Sequence, residues 1–255
     1  MVQKLKCVVV VALVFASMQS ARASLVAEWM MDEGSGDTIT DTVLGVTGTI
    51  SGAAWVNDAQ QGWVLSFDGS GVVDVDTTTT NNFATVLDEM TVAFWQYGAD
   101  DMYMTRSCVL DARAGTSQQA MVYMSHASGS VQWYCPTSPT LDYMSHVVDE
   151  ELVEGAWSHW AFTKNATTGK MAIYRDGVEI AAVTDKTAQI DGVGITILTI
   201  GQKYNYTFGH KGLLSGLQFY DSELSQSEIM SLVPEPATIA FLGLGALAIR
   251  RRRRF

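Results

Sequence analysis

Between Ser24 and Tyr220 no window of twelve or more residues keeps a helical period. Short segments dense in Val, Ile, Leu, Met, Phe, Trp and Tyr recur instead, each bounded by Gly, Asp, Asn or Thr. That pattern excludes helical and alternating α/β folds and predicts an all-β antiparallel sandwich or barrel. The sharpest piece is Met171–Arg175, then Asp176-Gly177, then Val178–Val183. It reads as a hairpin, because Asp-Gly accepts the positive φ that a type I′ turn needs. Strands are also expected at 25–30, 49–56, 62–67, 71–75, 90–97, 107–112, 120–125, 130–135, 159–164, 195–201 and 212–220. The stretch 90–97 (MTVAFWQY) is apolar on both parities, as a central strand covered on both faces would be. Trp29, Trp95, Trp157 and Trp160 lie in the strongest strand patterns and are expected in the core. Beyond Tyr220, Ser225 and Glu228 form a capping box that predicts one short helix.

The two ends carry other signals. Lys4 and Lys6 precede an apolar run from Cys7 to Met18, and Ala21-Arg22-Ala23 is a small-residue box. Residues 1–23 are expected to be a secretory signal helix, cut between Ala23 and Ser24. At the other end Pro234-Glu235-Pro236 interrupts any regular element. An uncharged run, 237–249, and five arginines, Arg250 to Arg254, follow. An apolar run closed by cations is a membrane stop signal with the arginines on the cytoplasmic side. The run is short against the roughly 20 residues of a full span, and snorkelling arginines extend its reach. Val-Pro-Glu-Pro, the apolar helix and the arginine cluster together resemble the PEP-CTERM sorting signal over residues 233–255. The resemblance implies export, retention at the inner membrane by helix 237–249, and processing at Pro234, Glu235 and Pro236 by an exosortase-type enzyme. Its bearers go to a bacterial cell surface or extracellular matrix.

Removing both ends changes the charge. Eight Lys and Arg remain in 24–233 against 26 Asp and Glu, a net charge near −18. Such a body repels nucleic acid and anionic membrane, so nucleic acid is not an expected partner. Neutral or cationic partners, or divalent cations, suit it. Cys108 and Cys135 also remain, and export permits a disulfide. The hairpin register puts them two strands apart, so two buried thiols are expected.

The order WMMDEGSG, LSFDGSGVVDV, MTVAFW, GAWSHWAFT, IYRDGVEI, LTIGQ and GLLSGLQFYDSELSQSEI resembles the laminin-G-like, concanavalin A-like jelly-roll domain over residues 24–232. The resemblance implies two antiparallel sheets packed face to face, one face concave. Domains of this kind mostly bind carbohydrate or protein, and some are glycosidases. In the family a calcium ion often staples the first strand's turn to the last strand. The corresponding positions here are Asp32, Gly34, Asp68, Gly69 and Ser215. The family usually has Asp where this chain has Ser215, which removes the main side-chain ligand. A structural Ca2+ is therefore weighed against plain turn roles for the same residues.

A retaining glycosidase on this superfold needs two carboxylates about 5–5.5 Å apart. The Glu-x-Asp-x-x-Glu run of the related laminarinase-like enzymes is absent. Asp74 and Asp76 alternate but end a strand, and Asp149, Glu150, Glu151 and Glu154 read as a solvated loop. Sugars stack on exposed rings while polar groups bind their hydroxyls. The surface candidates for that role are Trp133, Tyr134, Tyr143, Tyr204, Asn205 and Tyr206. The expectation is a non-catalytic module that binds carbohydrate or another surface polymer. A protein–protein adhesion module and a glycoside hydrolase are the alternatives.

Overall fold

The computed structural model describes residues 23–76, 88–136, 140–190 and 195–233. The signal segment up to Arg22, and the tail from Pro234 with its apolar run and arginines, lie outside them. Among the described residues no helix is long and apolar enough to cross a membrane.

The chain is all-β. The first strands are β1 (Leu25–Trp29), β2 (Thr38–Thr40), β3 (Thr47–Ser51), β4 (Ala54–Asp58), β5 (Gly62–Asp68) and β6 (Val72–Asp76). Then come β7 (Glu89–Gly98), β8 (Ser107–Ala114), β9 (Ser117–Ser125), β10 (Ser130–Tyr134) and β11 (Tyr143–Val147). The last are β12 (Trp157–Asn165), β13 (Lys170–Arg175), β14 (Val178–Val183), β15 (Ile197–Ile200) and β16 (Lys211–Tyr220), followed by helix α1 (Gln226–Ser231). The first sheet runs β14-β13-β12-β7-β16-β5-β4, with β1 also paired to β16. The second runs β11-β10-β9-β8-β15-β6-β3-β2. Every strand pairing is antiparallel.

Two local expectations hold in detail. Asp176 and Gly177 both have positive φ, 50° and 79°, at the β13–β14 turn. The Ser225 side chain accepts from the Glu228 N–H while Glu228 reaches back to the Ser225 N–H, so the capping box starts α1. One expectation fails. Residues 49–56 are not a single strand: the chain breaks at Gly52 (φ 75°), leaving β3 in the second sheet and β4 in the first. Cys108 and Cys135 are separate buried thiols.

The core lies between the sheets. Met90, Val92 and Phe94 of β7 meet Trp160 and Phe162 of β12, Val73 and Val75 of β6, and Val131 and Trp133 of β10. Phe162 stacks on Phe94 (5.8 Å between centroids) and on Trp160 (6.4 Å), and tilts against Trp133 (5.8 Å). The Trp133 indole N–H donates to the Thr163 carbonyl at 3.0 Å, a direct bond between the sheets. Lys164 is wholly buried in the same layer, 2.7 Å from Asp142, whose Oδ2 also accepts from the Ala188 N–H. A buried ion pair of this kind contributes little net stability, but removing one partner strands the other charge.

A smaller cluster lies on the outer side of the first sheet. Ala93, Ala161 and Ala172 leave a shallow floor on which Leu224 and Ile229 of the C-terminal segment pack, beside Tyr174 and Tyr220. Trp133 has no exposed surface, whereas Trp157 is half-buried with its N–H on Asp58 Oδ1 at 3.1 Å. Trp133→Ala is expected to cost about 3–5 kcal/mol of unfolding free energy, and Trp157→Ala only about 1–2 kcal/mol. Urea denaturation of the two variants checks this; equal losses would contradict the placement of the two indoles.

Candidate functional site

Residues directly opposite one another in an antiparallel sheet point to the same face. Across the second sheet the register aligns Thr38, Thr49, Asp74, Thr199, Asp111, Met121, Tyr134 and Tyr143. Their neighbours Ile39, Val73, Val75, Leu198, Ile200, Leu110, Val122, Trp133 and Met144 are in the core. The aligned row therefore lies on the outer face.

A loop folds over this row. It runs from Gly201 to His210 and is closed at its base by the His210 N–H donating to the Gly201 carbonyl at 2.7 Å. The Cys108 N–H donates to the Phe208 carbonyl, and the Gly201 N–H to the Val109 carbonyl, each at 2.7 Å. Gly201 has φ 85°, and a Cβ there would fall 2.3 Å from the Phe67 ring. A Cβ on Gly209 would fall 1.9 Å from the Gly69 carbonyl oxygen, so the loop base has no room for a side chain. His210 Nδ1 is 2.9 Å from the Ser107 hydroxyl, and its ring lies edge-on to Phe67.

The loop's tip meets the acids of the row. The Tyr204 N–H donates to Asp111 Oδ2 at 3.2 Å, and the Tyr206 hydroxyl to Asp74 Oδ2 at 3.3 Å. Asp111 Oδ1 accepts from Gln118 Nε2 at 2.8 Å, and Arg113 stands 3.6 Å from Oδ2. Burial pushes the Asp111 carboxyl up from its ordinary pKa, against these donors. Burial also raises Asp74, against the hydroxyls of Tyr206 and Thr199. Beside the loop runs a line of rings. Tyr143 stacks on Tyr134 at 5.3 Å, Tyr134 meets Tyr123 at 6.2 Å, and Tyr123 meets Phe208 at 6.2 Å. Tyr143, Tyr204 and Tyr206 are 43%, 44% and 61% exposed. The face thus combines open rings with polar groups that can orient a hydroxylated ligand.

Residues 67–230 match the concanavalin A-like lectin/glucanases superfamily. The chain belongs to that superfamily. Residues 232–254 match the PEP-CTERM protein-sorting motif, which marks an exported, C-terminally anchored surface protein. A search of curated proteins finds no match. Among solved structures, domain 4 of AbnA, an extracellular arabinanase from Geobacillus stearothermophilus in complex with arabinotriose, is similar. Its TM-score is 0.63 at 17% identity, over 83% of this chain and 99% of that one. The binding domain of botulinum neurotoxin DC with rat synaptotagmin II matches with TM-score 0.64 and 13% identity, over 82% of this chain. The same toxin domain with SialylT gives TM-score 0.61 and 12% identity. This chain spans about half of those toxin domains, 51% in each case. At such identities the likeness is one of fold.

In this concanavalin A-like frame, five of the six predicted ligand residues come together. Tyr134, Tyr143, Tyr204, Asn205 and Tyr206 all belong to the outer face of the second sheet or to the loop over it. Trp133 does not. It shares the parity of Val131, points into the core and offers nothing to a ligand. Conversely Trp95 and Trp157, expected inside, are half-buried on the outer face of the first sheet. Trp95 lies edge-on to His159 at 5.2 Å, and Trp157 to Tyr97 at 6.0 Å. Period-two counting from Thr91 and Ala93 would have placed Trp95 and Tyr97 there.

At the calcium positions the side chains of Asp68 and Ser215 are bonded within the fold. Asp68 Oδ1 already accepts from the Ser70 N–H (2.8 Å), the Ser70 hydroxyl (2.6 Å) and the Gly71 N–H (3.2 Å). The Ser70 hydroxyl and N–H hold the Asp68 carboxyl below its ordinary pKa. The Ser215 hydroxyl donates to the Met30 carbonyl at 3.3 Å. Gly34 (φ 71°) backs onto the Trp63 ring, and Asp32 is exposed. The Lys211 stem lies across Gly69, its Cγ 3.4 Å from where a Cβ there would fall. Among the described residues no group of three His, Cys, Asp or Glu is arranged to hold a metal ion. The acidic run 149–154 is only partly a solvated loop: Glu150 and Glu151 are exposed in a 3-10 turn, whereas Glu154 is buried and accepts from the Tyr103 N–H. Of the processing positions, Ala23 packs beside Leu25 and Leu232, and the Ser24 N–H donates to Asp221 Oδ1 at 2.8 Å. Pro234, Glu235 and Pro236 lie outside the described residues.

The loop base should register in acid. Burial pulls His210 down to a pKa of about 3, against about 6.5 in the unfolded chain. Below pH 6.5 the unfolded chain takes up a proton that the folded chain refuses. The stability from neutral His210 is therefore complete above about pH 6.5 and is lost as pH falls toward 3. Asp111 and Asp74, with raised folded values, act in the opposite sense. The readout is thus the difference between the parent and His210→Asn. The variant is expected to lose less unfolding free energy between pH 7 and pH 4.5, by about 2 kcal/mol. An identical loss in both would refute a buried neutral His210.

Proposed function

We propose that this protein is a non-catalytic carbohydrate- or surface-polymer-binding module, carried to the outside of a bacterial cell by its sorting signal. The observation that carries the reading is the set of exposed rings, Tyr143, Tyr204 and Tyr206, on one face that also carries polar side chains such as Thr38, Thr49, Asp74 and Arg113. The signal segment 1–23 directs export, with cleavage before Ser24. Helix 237–249 and the arginines 250–254 hold the precursor at the inner membrane until an exosortase-type enzyme acts near Pro234–Pro236. The domain spanning 24–232 then reaches the cell surface or matrix. The arabinotriose and SialylT complexes of the structural neighbours support a polymer-binding reading of the fold without naming the ligand.

Hydrolysis by Asp111 and Asp74 as a pair is disfavoured. Asp111 is fully covered and bonded to Gln118 and the Tyr204 N–H, so it has no path to a substrate oxygen. Asp74 stands two strand spacings away, about 10 Å, beyond a retaining pair's reach. Adhesion to a protein is the weaker alternative, because the face is a polar one studded with rings and not a flat apolar patch.

The test is glycan-array binding by the full-length chain in a non-ionic detergent. Tyr204→Ala with Tyr206→Ala is expected to weaken binding about tenfold or more, each lost stacking contact being worth roughly 0.5–1.5 kcal/mol. Binding is expected to persist after chelation of divalent cations, since Asp68 and Ser215 are already bonded within the fold. Failure to bind any glycan would remove the reading. Loss of binding on chelation alone would return a metal to the site.

A further inference from the structure

The net charge of the domain argues against an anionic ligand, but the placement of its few cations argues for one. Of the eight Lys and Arg in 24–233, four are spent on carboxylates away from the candidate face. Lys164 pairs with Asp142, Lys170 with Glu179, Arg175 with Asp176, and Lys211 with Asp101. The other four, Arg106, Arg113, Lys186 and Lys203, all border the outer face of the second sheet. Arg106 lies 4.9 Å over the Phe208 ring, Arg113 4.9 Å over Tyr204, and Lys186 Nζ 5.6 Å over Tyr143. Lys203 begins the turn that carries Tyr204 and Tyr206, accepting from the Tyr206 N–H and donating to the Thr207 carbonyl. Among the described residues only Arg113 of these four has a carboxylate within ion-pair distance, and that acid, Asp111, is buried. On the same face Asp74 is engaged by the Tyr206 hydroxyl.

A cation lying on a ring keeps N–H donors directed outward for an anion. Lys186 and Arg106 stand at the two ends of the line Tyr143–Tyr134–Tyr123–Phe208, whose ring steps are 5.3, 6.2 and 6.2 Å. Two separated cations joined by rings suit a chain with repeated acidic groups better than a single small anion. We propose that this face binds an acidic glycan, a polymer whose sugars carry carboxylate or sulfate groups. Its rings would lie on Tyr143, Tyr204 and Tyr206, and its acidic groups on Arg106, Lys186 and Lys203. The proposal rests on the carbohydrate-binding reading above and specifies its ligand class. The acidic remainder of the surface repels the same polymer, which confines binding to this face and makes it sensitive to salt.

The experiment measures binding of the full-length chain, in non-ionic detergent, to polygalacturonate, dextran sulfate, neutral dextran, neutral arabinan and single-stranded DNA, at low and high salt. Binding to one or both acidic glycans is expected, weakened about tenfold by raising salt from about 0.05 to 0.5 M. The two acidic probes separate carboxylate from sulfate recognition. The triple variant Arg106→Gln, Lys186→Gln, Lys203→Gln should lose at least tenfold, and Lys203→Gln alone part of that. Lys211→Gln, a cation off the face, should lose nothing. Neutral glycans bound better than acidic ones, with the triple variant unaffected, would overturn this proposal and leave the carbohydrate reading standing. DNA bound as well as the acidic glycans would mean a surface that senses charge alone, and would also overturn it. No binding to any glycan would remove both.

Discussion

The indole of Trp133 reaches out of the second sheet and donates to the backbone of the first, at the Thr163 carbonyl. Around that bond Phe162, Phe94 and Trp160 fill the gap between the sheets. These contacts set how the sheets slide relative to each other. Once that is set, the two-residue period of each strand decides which side chains face out. A slip of one residue in β6, β15 or β8 would bury Asp74, Thr199 and Asp111 in the apolar layer, where none of the three could be satisfied. The polar outer row is therefore a consequence of the core.

The loop over that row follows from topology. β15 ends in the second sheet and β16 begins in the first, so residues 201–210 must cross from one layer to the other. Glycines at 201 and 209 let the backbone pass close to Phe67 and Gly69. The bonds from Cys108, Gly201 and His210 clamp the base, leaving the tip to turn back over the face. Tyr204 and Tyr206 are exposed because the tip is held down by Asp111 and Asp74 through a backbone N–H and a hydroxyl, not through burial of the rings. The acids thus serve to position the aromatic residues, and Asp111 is covered in doing so.

Much of the strand order was legible, because local chemistry decided it. Asp176-Gly177 needs positive φ, Ser225 needs its Glu228, and both behave as their sequence demands. What was not legible was sidedness. Residues 90–97 are apolar on both parities, so Trp95 looked like core. The floor at Ala93, Ala161 and Ala172 is taken by α1, and this non-local contact gives the outer face of β7 its apolar character. Trp133 looked like surface because Gln132 and Tyr134 flank it, yet its parity with Val131 already pointed inward. The crossing at Gly52 was hidden for the opposite reason: β-rich residues continue on both sides of it. The grouping of cations on one face could not be read at all, since Arg106, Arg113, Lys186 and Lys203 come from four separate segments that only the fold brings to one face.

The two outer faces of the sandwich have different duties. α1 packs on the first sheet against Ala93, Ala161 and Ala172, and the described chain ends at Val233, directly after it. Only Pro234, Glu235 and Pro236 separate that point from the apolar run of the sorting signal. The described chain thus ends on the face opposite Tyr143, Tyr204 and Tyr206. The same geometry explains why the outer face of the first sheet could afford small alanines: it is a seat for the C-terminal segment. The face with the exposed rings Tyr143, Tyr204 and Tyr206 is the one that α1 leaves uncovered.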